Sequence, residues 1–294
     1  MTDRSAVKAA CPLEGGGVSE GSTCGVVSGG CMSLALGHLG DLLEGDEGKV
    51  EALYRRLRDY TAWFEESFGS TLCRDRCGAD LRKASGFADY ILTGKVLTRC
   101  VNHIGKAVEK LIEMVNLPLD EREEREGGEA SAGAAAAPVA GGAGLPVGGL
   151  CAAPVLHRIR EETGKGNRFL EDISMALDGG IGLSGGLCGA LAGALLPLGE
   201  VWGIDPRSEG VFGTLRFFVR GHLNLYAGRG RKGLWSVGNP LVRGFRRRFG
   251  SLECRELTGR EFGSRDDLED YVRESEVCRE IRDWCVEEAL RILG

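Results

Sequence analysis

Apolar positions along the chain recur at helical spacing. Leu53, Leu57, Tyr60 and Phe64 follow steps of four, three and four, which place them on one buried helix face. The closing segment 266–293 repeats the pattern through Leu268, Tyr271, Val272, Ile281, Cys285 and Ala289, and residues 168–177 read as a further amphipathic helix. In Gly189-Ala190-Leu191-Ala192-Gly193-Ala194-Leu195-Leu196 small residues fall four apart, so a helix here lets a neighbouring backbone come close. Alternating strand patterns of useful length do not occur. The pattern predicts an all-α protein of two small helical bundles.

The two bundles are predicted because the chain repeats itself. Residues 13–29 align with 177–193 without a gap, Phe68-Gly69-Ser70-Thr71-Leu72-Cys73-Arg74 matches Phe249-Gly250-Ser251-Leu252-Glu253-Cys254-Arg255, and each copy places one more cysteine, Cys100 or Cys278, near a closing amphipathic stretch. Between the copies the sequence turns to Glu-Arg-Glu-Glu-Arg-Glu and then to Ala, Gly and Pro, too poor in large apolar groups to build a core. The expected organisation is a first module over 1–118, a linker over 119–149 and a second module over 150–294, related by a pseudo-twofold axis.

Composition narrows the class. The 294 residues are 43% hydrophobic, enough to bury a real core, and no run of about 18 apolar residues suggests a membrane span. The N-terminus lacks the apolar core of a secretory signal, so the expectation is a soluble, cytoplasmic protein with no membrane partner. Eleven cysteines in such a chain point to metal binding or redox work rather than to a disulfide scaffold. The net charge of −6 favours solubility and by itself says little of function.

Cys188, and Cys24 in the first copy, follow glycine-rich turns at the start of expected helices. Backbone N–H groups and the helix dipole there are expected to lower the thiol pKa and favour thiolate. The alternative is that both are small buried hydrophobes. Gly180-Ile181-Gly182-Leu183-Ser184-Gly185 matches GxGxxG, but a helix rather than a strand precedes it, so a close-packed turn beside a metal centre is preferred to a dinucleotide site.

At these residues the chain resembles the redox-active family named for its cysteine pattern, C-GCAxxG-C-C, whose domain also occurs in split-Soret cytochromes c. Cys151-Ala152-Ala153-Pro154-Val155-Leu156 is similar to the family's opening cysteine helix, and Cys188-Gly189-Ala190-Leu191-Ala192-Gly193 to its CGAxxG core; Cys254 and Cys278 are similar to its third and fourth cysteines. The resemblance implies a nonhaem iron or iron–sulfur centre on Cys151, Cys188, Cys254 and Cys278; the glycine-rich turn, with Gly185, Gly186 and Gly189, is expected to supply N–H groups to sulfur. The first copy keeps Cys24, Cys73 and Cys100 but lacks the opening cysteine, since Cys11 aligns with Met175. Either it completes an altered site or it serves as a structural partner. Cys77, one turn from Cys73, is the preferred substitute ligand. Cys31 and Cys285 lie about 10 Å along a helix from Cys24 and Cys278, too far to share one small cluster. No Cys-x-x-Cys-His occurs, which argues against covalent c-type haem.

A basic insert near 206–248 carries ten arginine and lysine residues against Glu209 as the only acid, interleaved with aromatics. Docking of an acidic redox partner, or of the acidic stretch Asp41, Glu44, Asp46, Glu47 and Glu51 of the first copy, is preferred over nucleic-acid binding. His38, His103, His157 and His222 form no metal-binding pair. The expected function is electron transfer or redox sensing through one or two iron–sulfur clusters, with no substrate-transforming residues in view. The alternatives are a thiol–disulfide oxidoreductase using Cys188 or Cys24, and a structural zinc-binding module.

Overall fold

A computed structural model describes residues 4–119, 149–228 and 233–294. Most of the expected linker therefore lies outside the described residues. Within them the protein is all-α. The first copy contains α1 (Arg4–Ala10), α2 (Gly25–Gly37), α3 (Leu39–Leu43), α4 (Glu47–Phe68), α5 (Cys73–Arg76), α6 (Ala84–Leu92) and α7 (Asn102–Val115). The second contains α8 (Ala152–Thr163), α9 (Arg168–Ile173), α10 (Gly189–Trp202), α11 (Pro206–Tyr226), α12 (Leu234–Phe249), α13 (Cys254–Thr258), α14 (Arg265–Glu274) and α15 (Glu276–Leu293).

The repeat read from the sequence is a repeat of elements. α1 corresponds to α9, α2 to α10, α4 to α12, α5 to α13, α6 to α14 and α7 to α15, whereas α8 has no counterpart among the described residues of the first copy. Capping fixes several boundaries. Asp46 accepts from the Gly48 and Lys49 N–H groups to open α4, and Gly69, at φ 83°, closes it with the left-handed residue that terminates many helices. Gly250, at φ 86°, closes α12 in the same way. The closing stretch of the chain divides at Ser275, whose hydroxyl accepts from the Cys278 N–H and starts α15.

The helical faces expected from periodicity are buried: Leu53, Leu57, Tyr60 and Phe64 are fully inside. A single apolar cluster contains these residues together with Leu156, Leu170, Leu191, Leu195 and Phe245 of the second copy. The approach of α1 to α10 is so close that a Cβ on Gly199 would overlap the Ala9 carbonyl oxygen.

The contacts between copies are reciprocal. Tyr54 on α4 donates its hydroxyl to Asp178 of the second copy at 2.7 Å, and Trp235, in the corresponding place on α12, donates its indole N–H to Glu14 of the first at 2.8 Å. Glu14 and Asp178 are themselves aligned positions in the repeat. Further links are the Leu187 N–H to Thr23 Oγ1 at 2.7 Å and the paired bonds of Arg74 to Glu253 at 2.5 and 3.0 Å.

The basic insert meets a different acid from the stretch expected. Arg243 and Arg246 bond Glu20, a buried carboxylate of the first copy that also accepts from Asn239. Asp41 and Glu44 instead bond Lys49 of their own copy. A buried carboxylate needs the nearest available cations, whereas exposed acids are satisfied locally or by water.

Candidate redox site

The glycine-rich segments are left-handed turns. Gly15, Gly16, Gly17, Val18 and Ser19 have φ of 60, 77, 82, 47 and 67°, and Gly179, Gly180, Ile181, Gly182 and Leu183 have φ of 59, 81, 69, 58 and 59°. Five successive left-handed residues are tolerable only where most are glycine, and each of the four side-chain-bearing residues costs about 1–3 kcal/mol. Tight packing offsets that cost: a Cβ on Gly182 would lie 3.0 Å from Cys31 Sγ and from the Thr61 methyl. No strand precedes the GxGxxG segment; a 3₁₀ turn over Ser174–Leu177 does.

Each turn delivers its chain into one antiparallel bridge that fixes two cysteines. In the second copy the Cys188 N–H bonds the Leu252 carbonyl at 2.8 Å and the Cys254 N–H bonds the Gly186 carbonyl at 2.6 Å. In the first copy the Cys24 N–H bonds Thr71 and the Cys73 N–H bonds Ser22, at 2.8 and 2.7 Å. The same device sets the same pair twice.

In the second copy all four family cysteines line one cavity. Cys151, Cys188, Cys254 and Cys278 surround about 20 Å³ of free space walled by Leu257, Leu268, Val272 and Ile281, with Arg282 as the charged lining residue. Cys151 and Cys188 are the N-cap residues of α8 and α10, Cys254 is the first residue of α13, and Cys278 lies in the first turn of α15. Four helix N-termini thus face one apolar space. Such an arrangement favours negative charge on sulfur once a cation is present to share it.

The metal-free thiols behave otherwise than the helix positions alone suggest. Burial pushes Cys188 up to about 11 from the ordinary 9.0, against the N–H groups of Leu191 and Ala190 that point at its sulfur. Burial, Asp178 and neighbouring thiols raise Cys151, and burial with neighbouring thiols raises Cys254. Cys24 is likewise pushed up to about 11 by burial. Desolvation outweighs the dipole, which corrects the expectation of low-pKa thiols at these two helix starts.

The N–H groups of Gly185 and Gly186 are engaged within the turn rather than on the sulfurs. They bond the Gly179 and Gly180 carbonyls, while the Gly179 N–H approaches Cys151. The contribution of Gly189 is space: a Cβ there would lie 2.8 Å from Cys151 Cβ and 2.7 Å from the Leu177 carbonyl oxygen.

Asp178 holds the site from behind. This buried carboxylate accepts from the N–H groups of Leu150, Cys151 and Ala152 at 2.7, 2.9 and 3.2 Å, as well as from Tyr54. It caps α8 and seats Cys151. Cysteine spacing gives no hint of this role, although an acid precedes the glycine turn in both copies, as Glu14 and Asp178, and that repetition was a usable signal.

In the first copy Cys24, Cys73, Cys77 and Cys100 gather in a second, smaller apolar cluster with Leu81, Phe87 and Tyr90. Tyr90 donates its hydroxyl to Cys100 Sγ at 2.9 Å. Cys100 lies in a π-helical segment, Val96–Val101, that runs on into α7, so it does not sit at a free helix N-terminus as Cys278 does. The neighbouring Cys73 thiol holds the Cys77 thiol below its ordinary value, and Cys77 Sγ lies 2.9 Å from the Ala79 carbonyl oxygen. Cys31 and Cys285 are fully buried in the core, and Cys11 lies 3.4 Å from the Ile204 carbonyl, away from both clusters. The histidines are engaged elsewhere, His38 with Arg56, His103 with Arg76, His157 with Glu171 and His222 with Ser19.

Apart from the Thr258 hydroxyl, which is given to the Cys254 carbonyl, the donors lining the second-copy cavity are sulfur, which suits iron–sulfur clusters or other soft metals. Among the described residues no three His, Cys, Asp or Glu side chains form a ready-made single-ion site. No described helix is long and apolar enough to cross a membrane. The pattern of a family described as "Putative redox-active protein (C_GCAxxG_C_C)" matches residues 1–114 and again residues 150–292. No curated protein and no solved structure matches the chain.

Proposed function

Because the chain belongs to this redox-active cysteine family, we propose that Cys151, Cys188, Cys254 and Cys278 hold an iron–sulfur or other nonhaem iron centre used for electron transfer or redox sensing. The observation that carries the reading is the convergence of these four thiols, each near the start of a different helix, on one apolar cavity. A bound centre would supply reversible one-electron chemistry. The protein's part is to fix the sulfurs, exclude water through Leu257, Leu268, Val272 and Ile281, and offset negative charge with Arg282 and the helix N-termini. The raised thiol pKa values support this over attack by Cys188 on a disulfide, because a protonated buried thiol is a poor nucleophile but loses its proton to a metal.

Cys151 and Cys278 are half-buried, whereas Cys188 and Cys254 are buried. The two modules act as one packed body, with an acidic redox protein meeting the exposed Arg216 and Arg220 of α11. Eleven free cysteines suit a reducing compartment such as the cytoplasm.

Anaerobically purified full-length protein is expected to be brown and to contain iron and acid-labile sulfide, and Cys188→Ala and Cys254→Ala are expected to lose both. Colourless protein with free thiols after iron–sulfide reconstitution would sink the proposal. Stoichiometric zinc would replace it with the structural zinc reading.

A further inference from the structure

The two cysteine clusters differ at one position with chemical consequence. Thr258, which lines the second-copy cavity and donates its hydroxyl to the Cys254 carbonyl at 2.8 Å, is replaced in the first copy by Cys77. The Cys77 N–H bonds the Cys73 carbonyl at 2.9 Å, so the two cysteines span one helical turn. Residues four apart in a helix have Cα atoms about 6 Å apart, inside the separation that a disulfide bridges. Among the eleven cysteines, only Cys73 and Cys77 are this close in sequence.

A route leads to both sulfurs. An opening between the left-handed turn, at Gly15, Ser19 and Gly21, and the loop Ala79–Arg82 reaches Cys73 and Cys77, with the guanidinium-bearing Arg74 and Arg82 at its rim. Its free space, about 10 Å³, suits a molecule close to water in size. Cys100 is engaged by Tyr90, while the Cys77 thiol donates to the Ala79 carbonyl at 2.9 Å, on the loop that lines this opening.

We propose that Cys73 and Cys77 are a peroxide-responsive dithiol, a redox site separate from the second-copy centre. Cys77 sulfur attacks one oxygen of hydrogen peroxide; the S–O bond forms, the O–O bond breaks, and the departing hydroxide takes the Cys77 proton to leave as water. Cys73 sulfur then attacks Cys77 sulfur; the S–S bond forms, the S–O bond breaks, and the second hydroxide leaves as water with the Cys73 proton. Two thiols are oxidised by two electrons and one peroxide is reduced to two waters.

The test uses reduced full-length protein, treated anaerobically with equimolar hydrogen peroxide, blocked with N-ethylmaleimide and digested with trypsin. Cleavage after Arg58, Arg74, Arg76 and Arg82 separates the two cysteines, so their disulfide appears as peptide 59–74 joined to peptide 77–82. That species should dominate and disappear with dithiothreitol. Cys77→Thr, which installs the residue the second copy already accommodates, should keep the fold and the iron content and consume peroxide about tenfold more slowly. Linkage through other cysteines, no thiol loss in excess peroxide, or peroxide consumption unchanged in Cys77→Thr would overturn the proposal. A fall in iron content in that variant would overturn it too, since Cys77 would then be a ligand. Absence of iron from the wild-type protein would leave the dithiol result standing and reject only the cluster.

Discussion

Single side chains do the joining. Asp178 collects three backbone N–H groups and the Tyr54 hydroxyl, so Asp178→Ala strands several buried donors at once. A loss of about 3 kcal/mol is expected in denaturant unfolding, and under the proposed iron centre the iron content would fall as well, because Cys151 is no longer seated. Glu253 gives a pH signature. Burial alone would raise its pKa, but the Arg74 guanidinium holds it below the usual carboxylate value. A depressed pKa contributes stability above the unfolded-state value, and that stability is lost as pH falls through the folded one. Stability should therefore decline below about pH 4.5, and Arg74→Ala should flatten this decline at a cost of about 1 kcal/mol, modest because Arg74 is 43% exposed. The cysteines at these sites were legible in the sequence, since their order and context repeat. The Tyr54–Asp178 and Arg74–Glu253 pairings were not, because the partners lie more than a hundred residues apart, and the repeated acid at Glu14 and Asp178 marks a position without naming what it bonds.

Helices that begin at a cysteine set the chemistry at the next scale. Periodicity predicted α4, α10 and the closing helices, and capping residues such as Ser275 explain where they break. The left-handed turns escaped, because glycine spacing signals permissive backbone without saying which hand it takes. The thiol acidity also escaped, since it depends on how deeply the helix start is buried. Cys188 ionises near 11 in the folded protein and near 9.0 when exposed. This raised pKa favours the folded state below 9.0, and the advantage is lost as pH rises towards 11, by about 2–3 kcal/mol for this thiol. Metal-free protein should lose stability over that range, and Cys188→Ser should remove part of the loss. Under the proposed iron centre the loaded protein would show neither effect, because bound thiolates carry no proton.

At the level of the whole molecule, one core serves both copies. Leu57 and Thr61 of the first copy stand against Gly182 of the second, and α1 lies on α10 at backbone contact. Chemical denaturation followed by far-UV circular dichroism and by tryptophan fluorescence should give one coincident transition. Residues 150–294 expressed alone should bind a hydrophobic dye and unfold without cooperativity, whereas a folded, cooperative fragment would contradict the shared core. The duplication was plain in the sequence; the merging of the cores was not, because periodicity tells which face of a helix is apolar and not which copy covers it.

The exchange of Tyr54 with Asp178 and of Trp235 with Glu14 has a consequence for ancestry. An aromatic donor and an acid carried on a single module would meet their counterparts on an identical module across a true twofold axis, as in an isologous dimer. Fusion makes that encounter intramolecular and independent of protein concentration. It also frees the halves from identity: one carries cysteine at position 77 where the other carries threonine at 258, a divergence that a homodimer encoded once could not undergo.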